Sequence, residues 1–310
     1  MLKRFVIHTI LFFIPVILVY GITEYLTRKL PMEYKIIGTY LEKNSDEIEL
    51  LVLGSSQMKN AVNPEYLSKT ALNMASGNQH HDTDFKIIKQ LQPRLKNLKT
   101  VVLEVSYSHF ELPHNGKDFW KNRIYWEYYH INNFERPAWF KDRLIFLAHP
   151  PFFSEKLINH YYYKKTKTGF NPFGFDTLNF DGDFKKFNYN LERIKKDRFK
   201  INLKPDKTLF KQNTHLFFTM LDYLQNKNLQ VIVVTAPMFK TYLPKRVPAI
   251  LYRRDSILDL VSKKYSNVNV FKKEEDTTHY SVFDYKNQSH LNPKGATTFT
   301  KELDSLLGEL

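Results

Sequence analysis

Two short motifs far apart in the chain carry the residue types of a nucleophilic acyl-transfer site. Near the start, Gly54-Ser55-Ser56 directly follows an apolar run, and near the end His290 precedes the last predicted helix. A serine hydroxyl becomes a useful nucleophile only when a base beside it removes its proton. At the carboxyl end of a strand and ahead of a helix, it is also exposed, with backbone N–H groups aimed at the developing oxyanion. The two motifs together predict Ser56 as nucleophile and His290 as base.

The elements that must position these residues follow a regular alternation. Apolar, β-branched runs predict strands at 48–53, 71–74, 100–105, 231–235 and 268–271. Helical spacing or capping signals predict a short helix that begins at 63–65, and further helices at 82–95, 208–225, 248–265 and from 292 towards 307. Strands at this spacing, separated by helices, indicate a parallel sheet covered on both faces. The predicted fold class is therefore α/β, a three-layer α/β/α domain with a five-stranded parallel sheet.

The alternation lapses between the third and fourth strands. Residues 106–204 are rich in Phe, Tyr, Trp and Lys without a clean period, which predicts an insertion of short helices and loops. Interleaved aromatic and basic side chains suit stacking on sugars and contacts to anions. The alternative is that these aromatic residues form the core of the insertion itself. His109, His114 and His130 lie in it and are candidates for glycan contacts.

An almost wholly apolar segment lies at the N-terminus. Residues 5–22 span about 27 Å as a helix, enough to cross a hydrocarbon core. No convincing cleavage site follows, and Lys3 and Arg4 precede the segment, which suggests that the N-terminus stays inside. We therefore expect an uncleaved single-pass anchor at 1–30, a helical stalk at 31–47 and an extracytoplasmic domain at 48–310, held on the cell membrane.

Composition limits the partners. Lys and Arg outnumber Asp and Glu by 46 to 32, for a net charge of +14. Such a charge favours a polyanionic neighbour, unless lysine is simply the usual surface residue of the source. An anchored domain makes anionic lipid or an envelope glycan the expected partner, rather than nucleic acid. The chain has no cysteine, which excludes disulfides, Cys-ligated zinc and a Cys nucleophile. No nucleotide or HExxH motif is present either, so no cofactor or metal is expected.

The motifs resemble those of the SGNH (GDSL-like) hydrolase superfamily over the 50–307 scaffold, with the insertion outside it. The Gly-Asp-Ser block of that family is similar to Gly54-Ser55-Ser56, and its Asp-x-x-His block to Asn287-Gln288-Ser289-His290. The resemblance implies that Ser56 is the nucleophile, His290 the general base and Gly77 the oxyanion glycine. Gly-Ser-Ser behind an anchor is most similar to the membrane-bound branches, which include D-alanyl transfer proteins of teichoic acid and polysaccharide O-acetyltransferases.

Three departures from the family pattern bear on activity. Asn287 stands where the family has its triad aspartate, and an amide stabilises an imidazolium less well than a carboxylate. Asp284 could replace it if the loop curls, or a backbone carbonyl could orient the ring of His290 in a Ser-His dyad. The third block, Gly-x-Asn-Asp, is absent after the third strand, which leaves Asn78 as a stand-in oxyanion donor. Ser55 replaces the usual aspartate beside the nucleophile.

The sequence does not decide the role of two further groups of polar residues. His80 and His81 with Asp82 and Asp84 have metal-ligand types, but adjacent histidines on a helix diverge by about 100°, which favours solvation or capping. Glu104 lies in a buried strand pattern, and it is either a carboxylate of the pocket or one member of a charge pair.

The sequence therefore predicts a membrane-anchored serine esterase or O-acyltransferase that acts on acyl groups of an envelope polysaccharide or another acylated glycan. A membrane acyltransferase complex is a further expected partner. The alternative is a catalytically degenerate protein of the same fold that binds glycan or assists envelope polymer assembly, and a third reading is a binder of anionic lipid headgroups.

Overall fold

The computed structural model describes residues 1–165 and 169–309. Within them the α-helices are α1 (Leu2–Lys29), α2 (Glu33–Asn44), α3 (Ser56–Ala61), α4 (His81–Leu91), α5 (Lys121–Ile124), α6 (Pro150–Leu157), α7 (Asp183–Lys186), α8 (Leu191–Lys196), α9 (Lys207–Asn226), α10 (Pro248–Lys264) and α11 (Pro293–Glu309). Short 3₁₀ segments cover Pro64–Tyr66, His109–Glu111, Phe140–Arg143, Phe146–Ala148, Leu243–Lys245 and Val282–Asp284. Two π-helical turns cover Tyr125–Tyr129 and Ile158–Tyr162.

The predicted five-stranded parallel sheet is confirmed. Its strands are β1 (Leu50–Leu53), β2 (Ala71–Asn73), β3 (Thr100–Glu104), β4 (Gln230–Thr235) and β5 (Val268–Lys272), in the order β2-β1-β3-β4-β5. Every neighbouring pair is parallel. A separate antiparallel pair, β6 (Tyr285–Asn287) and β7 (His290–Leu291), precedes α11. The predicted strands lie where expected, with ends shifted by one or two residues.

Both faces of the sheet are covered, as the uninterrupted apolar runs require. Side chains alternate between the faces of a strand, and one face of β1 to β4 packs with residues of α3 and α11 in one cluster, which includes Val52, Val102, Ile232 and Phe299. The side chains of opposite parity, such as Leu51, Leu53, Val101 and Leu103, are equally inaccessible to solvent. Helix α4 contacts α9, α9 contacts β4, and α10 contacts β5.

The strand order creates a natural place for a ligand. The chain passes from β1 outward to β2, and then returns to the other side of β1 to form β3. In such sheets, the loops leaving the two strands on either side of this reversal diverge and open a crevice at their carboxyl ends. The loop after β1 begins with Gly54 and the loop after β3 begins with Val105, so the Gly54-Ser55-Ser56 motif belongs to this edge.

The described chain divides into two compact units. The first contains residues 1–35 and 117–165, and the second contains residues 36–116 and 169–309, including the sheet. Residues of the predicted insertion at 106–204 thus belong to both units. Helix α1, with 28 residues, is long and apolar enough to cross a membrane. Helix α2 lies where the helical stalk was expected.

Candidate active site

The turn after β1 presents Ser56 at the start of α3. Ser55 is the N-cap of this helix, and its Oγ accepts the N–H of Gln57 at 3.2 Å. Gly54 has φ +135°, a conformation that side chains disfavour, and a Cβ there would lie 2.6 Å from Cβ of Glu104. Glycine is therefore required at this position by both backbone conformation and space.

Glu104, at the end of β3, stabilises the turn after β1 by hydrogen bonds. Its carboxylate accepts the N–H of Ser55 at 2.6 Å, the Oγ–H of Ser55 at 2.9 Å and the N–H of Met58. The side chain is fully buried, and burial raises its pKa to about 7 although these hydrogen bonds act in the opposite direction. Because the hydroxyl of Ser55 is bound to this carboxylate, the hydroxyl of Ser56 is the one presented to a base.

A second buried carboxyl group supports the same turn. Asp84, on α4, accepts Nε2–H of Gln79 at 2.7 Å and the backbone N–H of Gly54. Burial raises its pKa well above the ordinary value, and the negative charge of Glu104 raises it further. The sequence left both acids without an assigned role, and the structure places them under the predicted nucleophile.

His290 lies at the start of β7 and meets Ser56. Its Nε2 is 2.8 Å from Oγ of Ser56, and its Nδ1 is 2.9 Å from Oδ1 of Asn287. The same Oδ1 accepts the backbone N–H of Ser289 at 3.0 Å, which assigns this atom of the amide as oxygen. Nδ1 therefore carries the proton, and the lone pair of Nε2 points at the serine hydroxyl. This is the tautomer that a general base needs.

The surroundings keep the imidazole uncharged. Burial, with smaller contributions from the positive charges of Lys286 and Lys59, lowers the pKa of His290 to about 4. At neutral pH the ring is therefore free to accept a proton. Its basicity is weaker than that of an ordinary histidine because the ring is buried, and the neutral amide of Asn287 supplies no negative charge to offset this.

Asp284 does not take the place of the triad aspartate. One carboxylate oxygen accepts the N–H and Oγ–H of Ser281 at 2.8 and 2.6 Å, and the other pairs with Nζ of Lys294 at 3.1 Å. These contacts close the 3₁₀ turn before β6 and keep the side chain there. Neither expected substitute orients His290, since the side-chain oxygen of Asn287 does so itself.

Ser56 lines a cavity of about 700 Å³ at the edge where β1 and β3 end. The N–H of Ser76 bonds to the carbonyl of Gly54 at 2.9 Å, which ties the loop after β2 to the turn of the nucleophile. In that loop Gly77 is followed by Asn78, which has φ 61° and lines the cavity. The charged side chains that line the cavity are Lys200 and Lys204, and further polar ones are Ser106, Ser108, His80, His109 and Asn202.

The interpretation of the paired histidines as solvated or capping residues is wrong for His81. His81 is fully buried, its Nε2 lies 2.9 Å from the carbonyl of Glu104, and its ring stacks on His109 at 3.9 Å. His80 is the N-cap residue of α4 but makes no side-chain capping bond. Burial lowers the pKa of His80 to about 4 and of His81 to about 3, so both are neutral. The burial of these rings results from tertiary packing against the loop after β3, which a local sequence pattern does not reveal.

Three other side chains are close enough together to be ligands of one metal ion. The ligand atoms of Asp276, His279 and Glu302 lie within 4.8 Å of one another. Nζ of Lys273 lies 3.2 Å from Asp276 and 3.1 Å from Glu302, so one ammonium group already pairs with both carboxylates.

Comparison with known proteins adds little to this geometry. No family model and no curated protein match the chain. Among solved structures, one similar chain is described as a "putative acylhydrolase" from Bacteroides fragilis NCTC 9343, with 10% sequence identity and a TM-score of 0.40. The match covers 87% of this chain and 95% of that one. At this level of similarity, function has to be inferred from the residues of the site.

Proposed function

We propose that the protein is a membrane-anchored serine esterase or acyltransferase of the SGNH type. The observation that carries the proposal is the hydrogen-bonded series of Ser56, His290 and Asn287, with contacts of 2.8 and 2.9 Å. A nucleophile, a base in the required tautomer and a group that orients the base are the three components of nucleophilic acyl transfer.

The proposed reaction begins when Oγ of Ser56 gives its proton to Nε2 of His290 and attacks the acyl carbonyl. The imidazolium then returns the proton to the leaving alcohol, which leaves an acyl group on Ser56. Water or a sugar hydroxyl, deprotonated by the same nitrogen, releases that acyl group. The backbone N–H groups of Ser56 and Gly77, with the side chain of Asn78, are the proposed donors to the oxyanion, a role worth about 10²–10³ in rate for one donor.

The proposed substrate is an acyl ester on an envelope polysaccharide or another acylated glycan. A cavity of about 700 Å³ suits a ligand of a few sugar units, and its charged lining residues are lysines. Hydroxyl, amide and imidazole groups along the wall suit the many hydroxyls of a glycan. Helix α1 supports the proposed location at the cell membrane, with Lys3 and Arg4 inside and the catalytic domain outside. A membrane acyltransferase complex is the proposed donor of acyl groups if the reaction is a transfer.

The test is labelling of the full chain in detergent with a fluorophosphonate, which reacts with activated serines. We expect the wild type to be labelled, and Ser56→Ala and His290→Ala to lose the label. Ser55→Ala is the matched control, because its hydroxyl serves Glu104 and its loss should leave labelling within a few-fold of wild type. Equal labelling of wild type and Ser56→Ala would refute the assignment of the nucleophile.

One observation favours a second candidate function. The neutral amide of Asn287 and the low pKa of His290, about 4, are what a site that has lost its chemistry would have. In that case the protein binds glycan or assists envelope polymer assembly. Absence of fluorophosphonate labelling in a folded chain, together with glycan binding that survives Ser56→Ala and His290→Ala, would select this function.

A further inference from the structure

Exposed apolar side chains are concentrated in one short stretch outside α1. Seven large apolar residues are well exposed between positions 139 and 163: Trp139, Phe140, Leu147, Ile158, Tyr161, Tyr162 and Tyr163. The whole second unit, several times longer, also has seven, and these are scattered: Tyr66, Leu178, Leu191, Leu203, Tyr252, Leu260 and Phe283. A local concentration of this kind marks an interaction surface, whereas single exposed apolar residues are ordinary.

This stretch is attached to one end of α1 by polar contacts around the buried side chain of Glu24. The carboxylate of Glu24 accepts the backbone N–H groups of Ile145 and Phe146 at 2.8 and 2.9 Å. Arg28 pairs with the same carboxylate at 2.9 Å and also bonds to the carbonyl of Arg143. A carboxylate with three partners is expensive to separate from them, so the attachment is firm.

The attachment lies where the apolar surface of α1 ends. Ile22 is exposed, as are most apolar residues before it, whereas Glu24 is buried against the stretch. The hydroxyl of Tyr161 donates to the carbonyl of Leu26 at 3.2 Å, and the ring of Phe146 packs on that of Tyr20. If α1 spans a bilayer, residues 139–163 therefore lie at the depth of the lipid headgroups.

The chemistry of the stretch fits that depth. Tryptophan and tyrosine prefer the membrane interface, where the ring lies among acyl chains and the polar group stays hydrated. Cations accompany them: Nζ of Lys141 lies 4.6 Å from the ring of Trp139, and Nζ of Lys165 lies 4.7 Å from that of Tyr163. Residues 139–163 contain three Lys or Arg against two Asp or Glu, a net charge of +1, and Lys164 and Lys165 follow directly. Each such cation near an anionic membrane contributes about 1 kcal/mol.

We propose that residues 139–163 form a collar that lies on the surface of an anionic lipid bilayer, around the point where α1 leaves it. The collar inserts its aromatic rings between the headgroups and presents its lysines to anionic lipid. The inference rests on the membrane anchoring contained in the proposed function. It goes beyond that anchoring, because it assigns a second, peripheral contact with the lipid to a segment far from α1 in sequence.

The test uses the absence of cysteine from the natural sequence. Single cysteines placed by Tyr162→Cys, Phe12→Cys and Tyr252→Cys in the full chain would carry a nitroxide label at three exposed positions. In vesicles of phosphatidylcholine with phosphatidylglycerol, accessibility to oxygen relative to a water-soluble nickel complex reports the depth of each label. We expect label 12 within the hydrocarbon, label 162 at the headgroup level and label 252 in water.

The outcomes separate the collar from the anchor. Label 162 in water while label 12 is in the hydrocarbon would overturn the collar and leave the anchor and the proposed chemistry standing. Labels 12 and 162 both in water would refute the anchoring itself. If label 162 lies as deep in vesicles of pure phosphatidylcholine as in vesicles that contain phosphatidylglycerol, the assignment of an anionic surface is overturned. Fluorophosphonate labelling of the same samples reports on Ser56 independently of all three depths.

Discussion

Replacement of Asn287 by aspartate should activate the proposed site. The substitution preserves shape, and its carboxylate can still accept Nδ1–H of His290 and the N–H of Ser289 where the amide oxygen does now. It adds one negative charge beside the ring, which stabilises the imidazolium that forms as Ser56 loses its proton. We therefore expect faster reaction with a fluorophosphonate at pH 7.

The size of the effect follows from the pKa of His290, about 4 against an ordinary 6.5. Restoring the ordinary value would change the free energy of protonation by about 3.4 kcal/mol, at about 1.36 kcal/mol per pKa unit. General-base catalysis expresses only part of such a gain, and half of it, about 1.7 kcal/mol, corresponds to about 20-fold in rate. Asn287→Asp should therefore raise the labelling rate by about 10- to 100-fold.

The assay is the second-order rate of labelling between pH 3 and 9, on the full chain in detergent. Ser289→Ala is the matched control, because it removes the weaker contact of its Oγ with Nδ1, at 3.2 Å, and keeps the backbone N–H that fixes Asn287. Its rate should stay within a few-fold of wild type. A rate for Asn287→Asp equal to or below that of wild type, in a folded protein, would refute the assignment of His290 as a base limited by its neutral partner.

Three further predictions concern other residues of the proposed site and the turn after β1. Because the pKa of His290 is about 4, labelling of the wild type should be constant above about pH 5 and fall to half near pH 4. The pKa of Glu104 is raised to about 7, so its contribution to stability is complete at low pH and is lost as pH rises from about 4.5 to 7. The difference in unfolding free energy between wild type and Glu104→Gln should therefore shrink by up to about 3 kcal/mol between pH 4.5 and 8. Gly54→Ala should lower the free energy of unfolding by about 2–5 kcal/mol, as measured by urea denaturation, because its Cβ meets Glu104 at a positive φ.

Each of these has an outcome that would contradict it. A labelling midpoint near pH 6.5 would mean that His290 is not desolvated. A pH-independent difference between wild type and Glu104→Gln would mean that Glu104 titrates normally. Ala61→Gly, which changes one side chain at the other end of α3, is a comparison for Gly54→Ala, and the glycine-to-alanine change should cost more.

The strands could be predicted from sequence because each depends on a local pattern. The Ser56–His290 contact could be predicted because two short motifs occur together as they do in the superfamily that they resemble. Runs such as 231–235 are apolar and β-branched and have one reasonable structure, and a serine at a strand end with a late histidine is specific to few sites. The site's supports were not predictable in the same way. Glu104 reaches the turn because Leu103 pairs with Leu53 across β3 and β1, and that register is not contained in either strand's own sequence.

The role of Asn287 also could not be predicted from a local sequence pattern. Whether an amide beside a histidine stabilises the useful tautomer depends on which of its two polar atoms faces the ring. Here the backbone N–H of Ser289 selects the oxygen, a decision made by the geometry of the bend between β6 and β7. Similarly, His81 is buried because α4 packs where His109 and Phe217 meet it, which its own helix does not encode.

The pairing of β3 with β4 has a consequence for how the chain folds. These adjacent strands are joined by residues 105–229, so the sheet cannot close until more than two thirds of the chain exists. Contacts of such long sequence separation slow folding, because the entropy of closing the loop precedes the gain from pairing. The base arrives later still, on a hairpin followed by α11, where Thr300 donates to the carbonyl of Ala61 at the end of α3. A nascent chain that has not yet reached His290 therefore carries Ser56 without its proposed base, and the proposed site is assembled only after β7 has joined the fold.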